Sequence, residues 1–362
     1  MKKALLLFSG GLDSILAGKI IQEQGIEVIP VTYITPFFKW KYSEQPELFH
    51  QRCQSLGFEK GILVNLTEDF LKILHKPRYG FGCLANPCIA CKILMLSKTK
   101  QLLKEHNADF IVTGEVVGQR PKSQNKRAME IIRKESGVED ILVRPLSAKI
   151  LPPTLPEKLA WVDRNKLFGF QGRSRKLQFF LARKYEIKEF PTPAGGCLLT
   201  QPEIGTRMLT ILKGNKPLNE LTAKLAVLGR HFIDANHWIV LGRNDVENRK
   251  IFKIANGKLP LFTLTEPAPV AVILDGNPDE NLIKELLVRF SKKAKIKKES
   301  GEKVDLIPPD EKEFGDNKEM MNQESATSIS LSARYKQFEK GNVPQASYTT
   351  CSRAGRRKNL HL

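Results

Sequence analysis

Residues 5–18 read LLLFSGGLDSILAG. An apolar run stops at Ser9-Gly10-Gly11, and Asp13 and Ser14 follow before apolar residues resume. A buried strand that hands over to a helix needs little more than a cap, so two glycines and two hydroxyls at the junction ask for a further reason. Glycines without a Cβ let backbone amides approach an anion closely. A helix beginning there adds about half a unit of positive charge. Ser9 and Ser14 offer hydroxyl donors to anion oxygens, whereas the carboxylate of Asp13 faces a phosphate only across a cation, which implies Mg2+. A plain turn with Ser and Asp as helix caps would share these letters. The stretch lacks the Gly-Lys-Ser/Thr of a Walker loop and the Gly-x-Gly-x-x-Gly spacing of a dinucleotide fold.

Outward from this junction, strand patterns rich in β-branched residues fall at residues 3–8, 27–34, 61–66, 110–113 and 141–143. Helical patterns fall between them at 13–24, 46–56, 67–74 and 88–105, with Pro46 suited to a first helical turn. Strands alternating with helices predict an α/β, doubly wound parallel sheet over residues 1–205, with its ligand beyond the carboxyl end of the first strand, where Ser9 to Ser14 lie. The pattern then changes. HWIVLGRNDVENRKIF, from His237, reads as strand, turn and helix, and APVAVILDG, from Ala268 onward, contains a buried strand. Residues 206–290 are therefore expected to form a smaller α+β module, and the polar residues 291–362, opening on Lys292, Lys293, Lys295, Lys297 and Lys298, a basic disordered tail.

The chain has 362 residues with 58 Lys and Arg against 39 Asp and Glu, a net charge of +19 that favours a polyanionic partner. No run approaches the ~18 apolar residues of a membrane span, and the short apolar stretch behind Lys2 and Lys3 is broken by Ser9 and the glycines. A cytoplasmic protein with no membrane partner is expected. Six cysteines in that compartment are unlikely to form a disulfide framework, which leaves metal, redox or nucleophilic roles.

Cys88 and Cys91 form one C-x-x-C at a helix start, and Cys197 stands alone after Gly195 and Gly196. One such pair admits half a zinc site with Cys83 as a further ligand, a redox couple, or three-cysteine iron–sulfur ligation. The stretch DRNKLFGFQGRSRKLQFFLARK, from Asp163, interleaves basic residues with aromatics, a pattern suited to RNA phosphates and an extruded base. Arg173, Arg175 and Lys176 are the residues expected to face RNA, while Phe179 and Phe180 are expected in the core.

FSGGLDS resembles the pyrophosphate loop of the N-type ATP pyrophosphatases, which cleave ATP to AMP and pyrophosphate and attach AMP to a carbonyl oxygen. That resemblance implies ATP and Mg2+ as ligands, with Ser9, Gly10, Gly11, Asp13 and Ser14 on the pyrophosphate. VTGEVVGQRPKSQ, residues 112–124, is similar to a stretch of the 4-thiouridine synthetases of tRNA, as is VRPL at 143–146, and implies that Thr113, Gly114 and Glu115 meet the nucleotide or target base. Several thiolation enzymes of this family hold a [4Fe–4S] cluster on a C-x-x-C pair and one distant cysteine, the arrangement of Cys88, Cys91 and Cys197. In the cluster-free branch the cysteine matching Cys197 carries a persulfide, with a second cysteine as its partner. GRNDVEN, residues 242–248, resembles a small RNA-binding module of ribosome-quality-control factors.

Together these readings predict an ATP-dependent tRNA sulfurtransferase that adenylates a uridine carbonyl oxygen and exchanges it for sulfur, position 4 being favoured over position 2. Asp13, Cys197 and Cys91 are its expected catalytic residues. Its partners are tRNA and a sulfur donor, either sulfide or a persulfide carrier, and homodimerisation is left open. The alternatives are an amide-forming or other small-molecule adenylating enzyme of the same fold, and a non-enzymatic RNA-binding factor.

Overall fold

A computed structural model describes residues 1–191 and 196–315. Its first sheet is built on strand β1, Lys3–Leu7, whose inner residues are buried on both sides, as a central parallel strand requires. Alternate side chains of β1 serve opposite layers: Ala4 and Leu6 pack with Ile15 and Leu16 of the helix Leu12–Gln22, while Leu7 packs with Leu96 of the helix Cys88–Glu105. The remaining strands are β2 (Glu27–Ile34), β3 (Ile62–Asn65), β4 (Phe110–Thr113) and β5 (Leu142–Val143). They run parallel in the order β3-β2-β1-β4-β5, the doubly wound arrangement expected from the alternation. The order reverses between β1 and β4, so the loops at their carboxyl ends, Phe8–Leu12 and Gly114 onward, flank the switch point where such sheets bind ligands.

The second sheet comprises β6 (Arg230–Ile233), β7 (Trp238–Leu241), β8 (Leu261–Leu264), β9 (Ala271–Asp275) and β10 (Leu306–Ile307), all pairs antiparallel, in the order β10-β8-β9-β7-β6. Trp238, Val240 and Val272 face the helices Pro202–Lys213 and Asp245–Ala255. Ile239, Leu241 and Ile273 face the helix Glu280–Arg289. The first of these layers continues into the parallel domain, where Phe37, Phe70 and Leu74 join Leu199, Met208 and Trp238 in one apolar cluster.

Two expectations change. The boundary at 205 falls inside a single helix, Pro202–Lys213, whose Ile204 and Met208 both belong to the shared core. The expected tail is folded through residue 315. Ser291 caps the helix Lys292–Glu299, whose Ala294 is buried, β10 pairs with β8, and the Phe314 ring packs tilted against Phe252 with centroids 6.3 Å apart. Sparse but well-placed apolar residues anchor this segment where average composition suggested none would. Residues 316–362, including Cys351, lie outside the described residues.

Candidate active site

The backbone leaves β1 through Ser9 and enters its helix after Gly11, which caps without a side-chain hydrogen bond. Gly10 has φ +70°, a left-handed conformation that a residue with a Cβ enters only at a cost. Ser14 Oγ donates to the carbonyl oxygen of Gly11 at 2.8 Å and Ser9 Oγ lies 3.2 Å away, so the hydroxyls brace the turn. Ser14 N already donates to the Gly11 carbonyl oxygen at 3.0 Å, which leaves the amides of Leu12 and Asp13 at the start of the helix available to an anion.

Asp13 is held by two side chains that converge on it and a third that supports one of them. Gln119 Nε2 donates to its Oδ2 at 2.6 Å, Arg175 Nη2 stands 3.4 Å from the same oxygen, and Gln178 Nε2 supports Gln119 at 3.2 Å. Its Oδ1 is buried with no hydrogen-bond partner, an expensive state for a carboxylate oxygen unless something else coordinates it. Arg175, expected on RNA, thus turns inward to the loop, while Arg173 and Lys176 are exposed.

Gly114 brings the end of β4 against this turn. A Cβ at Gly114 would lie 2.3 Å from the carbonyl oxygen of Asp13, so the approach requires glycine. Glu115 next to it is nearly fully buried. Thr113 Oγ1 donates to its Oε2 at 3.1 Å, Arg144 Nε donates to the same oxygen at 3.0 Å, and Lys92 Nζ stands 4.0 Å from Oε1. Burial alone would raise this carboxyl, but Lys92 and Arg144 outweigh it and hold Glu115 below the ordinary glutamate range.

Cys88 and Cys91 open the helix Cys88–Glu105, and Cys197 precedes a short 3-10 turn at Leu198–Thr200. Burial pushes the Cys91 thiol up, and the charges Cys197 and Cys88 would carry push it further, against an opposing pull from Lys92. Burial likewise raises Cys197 to about 12, opposed by a hydrogen bond from the Leu199 backbone, with Cys88 adding to the rise and Arg120 opposing it. Cys91 and Cys197 thus each feel the charge that a neighbouring cysteine would carry. Among the described residues, no three His, Cys, Asp or Glu side chains are gathered closely enough to hold a single metal ion. Cys53 is buried in the core and its thiol is raised to about 12 by burial. Cys83 is exposed, and Gly195 lies outside the described residues.

Three short paths, each of chain neighbours and one or two non-covalent contacts, join Cys91 and Cys197 to the loop. Cys91 is followed by Lys92, which faces Glu115 beside Gly114. Arg120, which acts on Cys197, follows Gln119, which binds Asp13. Leu198 N donates to the carbonyl oxygen of Phe37 at 2.8 Å, and two residues further along that strand exit Lys39 reaches Gly10. Lys92, Arg120 and Lys39 were not among the expected site residues, since nothing in their local sequence separates them from other surface cations.

The other expected contacts divide. Phe180 is 66% exposed, contrary to its expected place in the core, because the helix Lys176–Lys184 turns Leu181 and Ala182 inward instead. Phe170 is buried and stacks on Phe168 at 5.0 Å, so this pair is structural. In GRNDVEN the polar groups serve the fold. Arg243 is clamped by Glu247 and Glu203, and Asn248 Oδ1 accepts from the Val270 amide at 3.1 Å.

The family model described as "Thiamine biosynthesis protein (ThiI)" matches residues 1–149. The chain is 32% identical over 123 residues to tRNA-specific 2-thiouridylase MnmA 2 of Fusobacterium nucleatum, covering 32% of this chain and 34% of that protein. It is 27% identical over 164 residues to a probable tRNA sulfurtransferase of Anoxybacillus flavithermus, covering 45% and 38%. The chain thus spans about a third of the length of these curated relatives. A solved 4-thiouridine synthetase–RNA complex with bound ATP aligns over 41% of this chain and 37% of that one, with 26% identity and a TM-score of 0.34, which adds nothing to the sequence matches. Among the described residues no helix is long and apolar enough to cross a membrane. The Ser-Gly-Gly-x-Asp-Ser loop at the switch point of the 3-2-1-4-5 parallel sheet thus lies in the N-terminal part of the chain that matches this family model and is similar to tRNA sulfurtransferases.

Proposed function

We propose that the chain is an ATP-dependent tRNA sulfurtransferase that adenylates a uridine carbonyl oxygen and replaces it with sulfur. The observation that carries this reading is the linkage of Cys91 and Cys197 to the loop through Lys92–Glu115, Arg120–Gln119 and Leu198–Phe37. An amide-forming adenylating enzyme has no use for thiols tied to its loop in this way.

Ser9, Gly10, Gly11 and the first amides of the helix would take the pyrophosphate of ATP, stabilising negative charge as it develops on the leaving group. Mg2+ fits at the unpartnered Oδ1 of Asp13, where it would neutralise phosphate charge beside the carboxylate. Thr113, Gly114 and Glu115 would border the α-phosphate side, a reading supported by the close approach of Gly114 to Asp13 and by the Lys92–Glu115 pair. Sulfur arriving at the activated carbon then displaces AMP, which leaves with the original oxygen. Cys88, Cys91 and Cys197 suit a [4Fe–4S] cluster in donor kind, and such a cluster would supply an open iron position for sulfide. The cluster-free branch of the resemblance gives a second reading, in which Cys197 receives a persulfide sulfur from a carrier and forms a disulfide with Cys91 as that outer sulfur passes to the uridine. Arg173, Lys176 and the exposed Phe180 would contact tRNA, and position 4 of the uridine is favoured by the TGEVVGQ stretch.

The test is thiolation of unmodified tRNA by anaerobically purified protein, with iron and sulfide analysis and mass spectrometry of the digested nucleosides. Cys88→Ala, Cys91→Ala and Cys197→Ala should each abolish 4-thiouridine while leaving ATP binding intact. Full activity in all three variants would reject the reading, and active iron-free protein would select the persulfide.

A further inference from the structure

Lys39 is placed by an unusual backbone. The chain leaving β2 folds back on itself, Thr35 N donating to the Phe38 carbonyl oxygen and Phe38 N to that of Thr35, both at 3.0 Å. Thr35 is fully buried, which locks the turn. Lys39 then adopts φ +60°, a left-handed conformation that any residue with a Cβ enters only at a cost. Strain of that kind persists where the surroundings over-determine it, and here it delivers an ammonium group to the loop. Lys39 Nζ lies 3.6 Å from where a Gly10 side chain would begin.

No carboxylate answers this charge. Among the described residues Lys39 makes no ion pair, and its ammonium lies only 5.7 Å from the centre of the Tyr42 ring. The nearest charged influence on it is another cation, Arg52, whose Nη2 donates at 2.5 Å to the backbone carbonyl oxygen of Glu189. Burial, and then Arg52, pull the Lys39 ammonium below its ordinary range, the mark of a cation kept partly from water without a counter-ion. A half-buried, unpaired lysine held in a strained turn against a glycine loop is a site completed by an anion.

We propose that Lys39 binds the β,γ-diphosphate of ATP and the pyrophosphate formed from it, so that the loop recognises the leaving group separately from AMP. This rests on the ATP reading given above and adds to it which residue carries the leaving-group charge. Phosphate of the RNA backbone shares the chemistry, and the experiment separates the two sources.

Binding of pyrophosphate, AMP, a non-hydrolysable ATP analogue and unmodified tRNA to the full chain, with Mg2+, would be measured by calorimetry for the wild type, Lys39→Met, Lys39→Arg and Lys39→Gly. Removal of one charge-assisted hydrogen bond predicts about a 10- to 100-fold weaker affinity for pyrophosphate and the ATP analogue in Lys39→Met. AMP and tRNA affinities should stay within about twofold, and Lys39→Arg should recover most of the deficit. Lys39→Gly should lose pyrophosphate while melting at a higher temperature, because glycine relieves the positive φ. Unchanged pyrophosphate affinity in Lys39→Met, an equal weakening for AMP, or a weakening confined to tRNA would each overturn the assignment. A wild-type chain that binds neither ATP analogue nor pyrophosphate would overturn the ATP reading itself, and this assignment with it.

Discussion

Lys92 Nζ stands 4.0 Å from Glu115 Oε1, and this pair ties the residue after Cys91 to the residue after Gly114. Glu115 is buried with Arg144 on its other oxygen, so one carboxylate neutralises two cations from different elements. Removing one partner of a buried ion pair leaves charge uncompensated and costs about 3–5 kcal/mol. Glu115→Gln should therefore destabilise the parallel domain by about 3 kcal/mol at neutral pH, toward the low end because the amide keeps part of the hydrogen bonding. The sign of the pH dependence follows from the carboxyl being held low in the fold. Its contribution is complete above the unfolded glutamate range and is lost as pH falls through the folded value. Denaturant unfolding of both proteins should show the gap narrowing as the pH is lowered from about 5; a constant gap would mean the pair contributes nothing electrostatic.

Gly114→Ala probes the approach of β4 to the loop. The added Cβ would meet the Asp13 carbonyl oxygen at 2.3 Å, and the obstacle is backbone, which cannot swing aside. Overpacking of this kind costs about 1–3 kcal/mol. The turn from Ser9 to Ser14 must shift, so ATP-analogue affinity should fall by an order of magnitude or more while secondary structure by circular dichroism is kept. Retained affinity would show that the turn does not hold the nucleotide.

The parallel sheet was legible because its information is local. A short apolar run such as Leu5 to Phe8, followed by glycine and a helical period, has few other readings, and the expected strand limits match those observed to within about two residues. The loop and the cysteines were legible as motifs for the same reason. Lys39, Lys92 and Arg120 were not, because what distinguishes them is proximity to residues 29, 23 and 77 positions away in sequence, at Gly10, Glu115 and Cys197. Arg173 and Arg175 carry the same letter two positions apart, and only the turn ahead of the helix Lys176–Lys184 decides that one faces solvent and the other Asp13. GRNDVEN could not declare whether its polar groups look outward or inward, since Arg243 meets partners on two helices.

That division of the basic segment predicts how RNA binding responds to substitution. Arg173 and Lys176 are exposed beside Phe180, whereas Arg175 is engaged with Asp13. Replacing Arg173 and Lys176 by Ala should weaken tRNA binding and reduce the slope of log affinity against log salt by about 1 for each phosphate that is no longer neutralised. Phe180→Ala should weaken binding with no change in slope, as removal of a stacking platform does, by about 1–3 kcal/mol. Filter binding across a salt series reads both effects, and an unchanged slope in the double variant would place the RNA on another face.

His231 supplies a control on the second sheet that involves no ligand. Trp238 Nε1 donates to its Nδ1 at 2.9 Å, and its Nε2 donates to the Leu228 carbonyl oxygen at 2.7 Å, which fixes the neutral tautomer. Burial, then the charges of Arg207 and Arg243, lower this imidazole to about 3. The unfolded chain binds a proton at this position below its ordinary value near 6.5, and the folded chain does not until about pH 3. The neutral ring therefore contributes full stability above about pH 6.5, and that contribution declines as the pH falls toward 3. His231→Gln, which can still accept from Trp238, should melt lower than wild type at pH 7.5 and show a shallower fall in melting temperature between pH 7.5 and 5. If both proteins lose stability in parallel over that interval, the titration of His231 does not govern it.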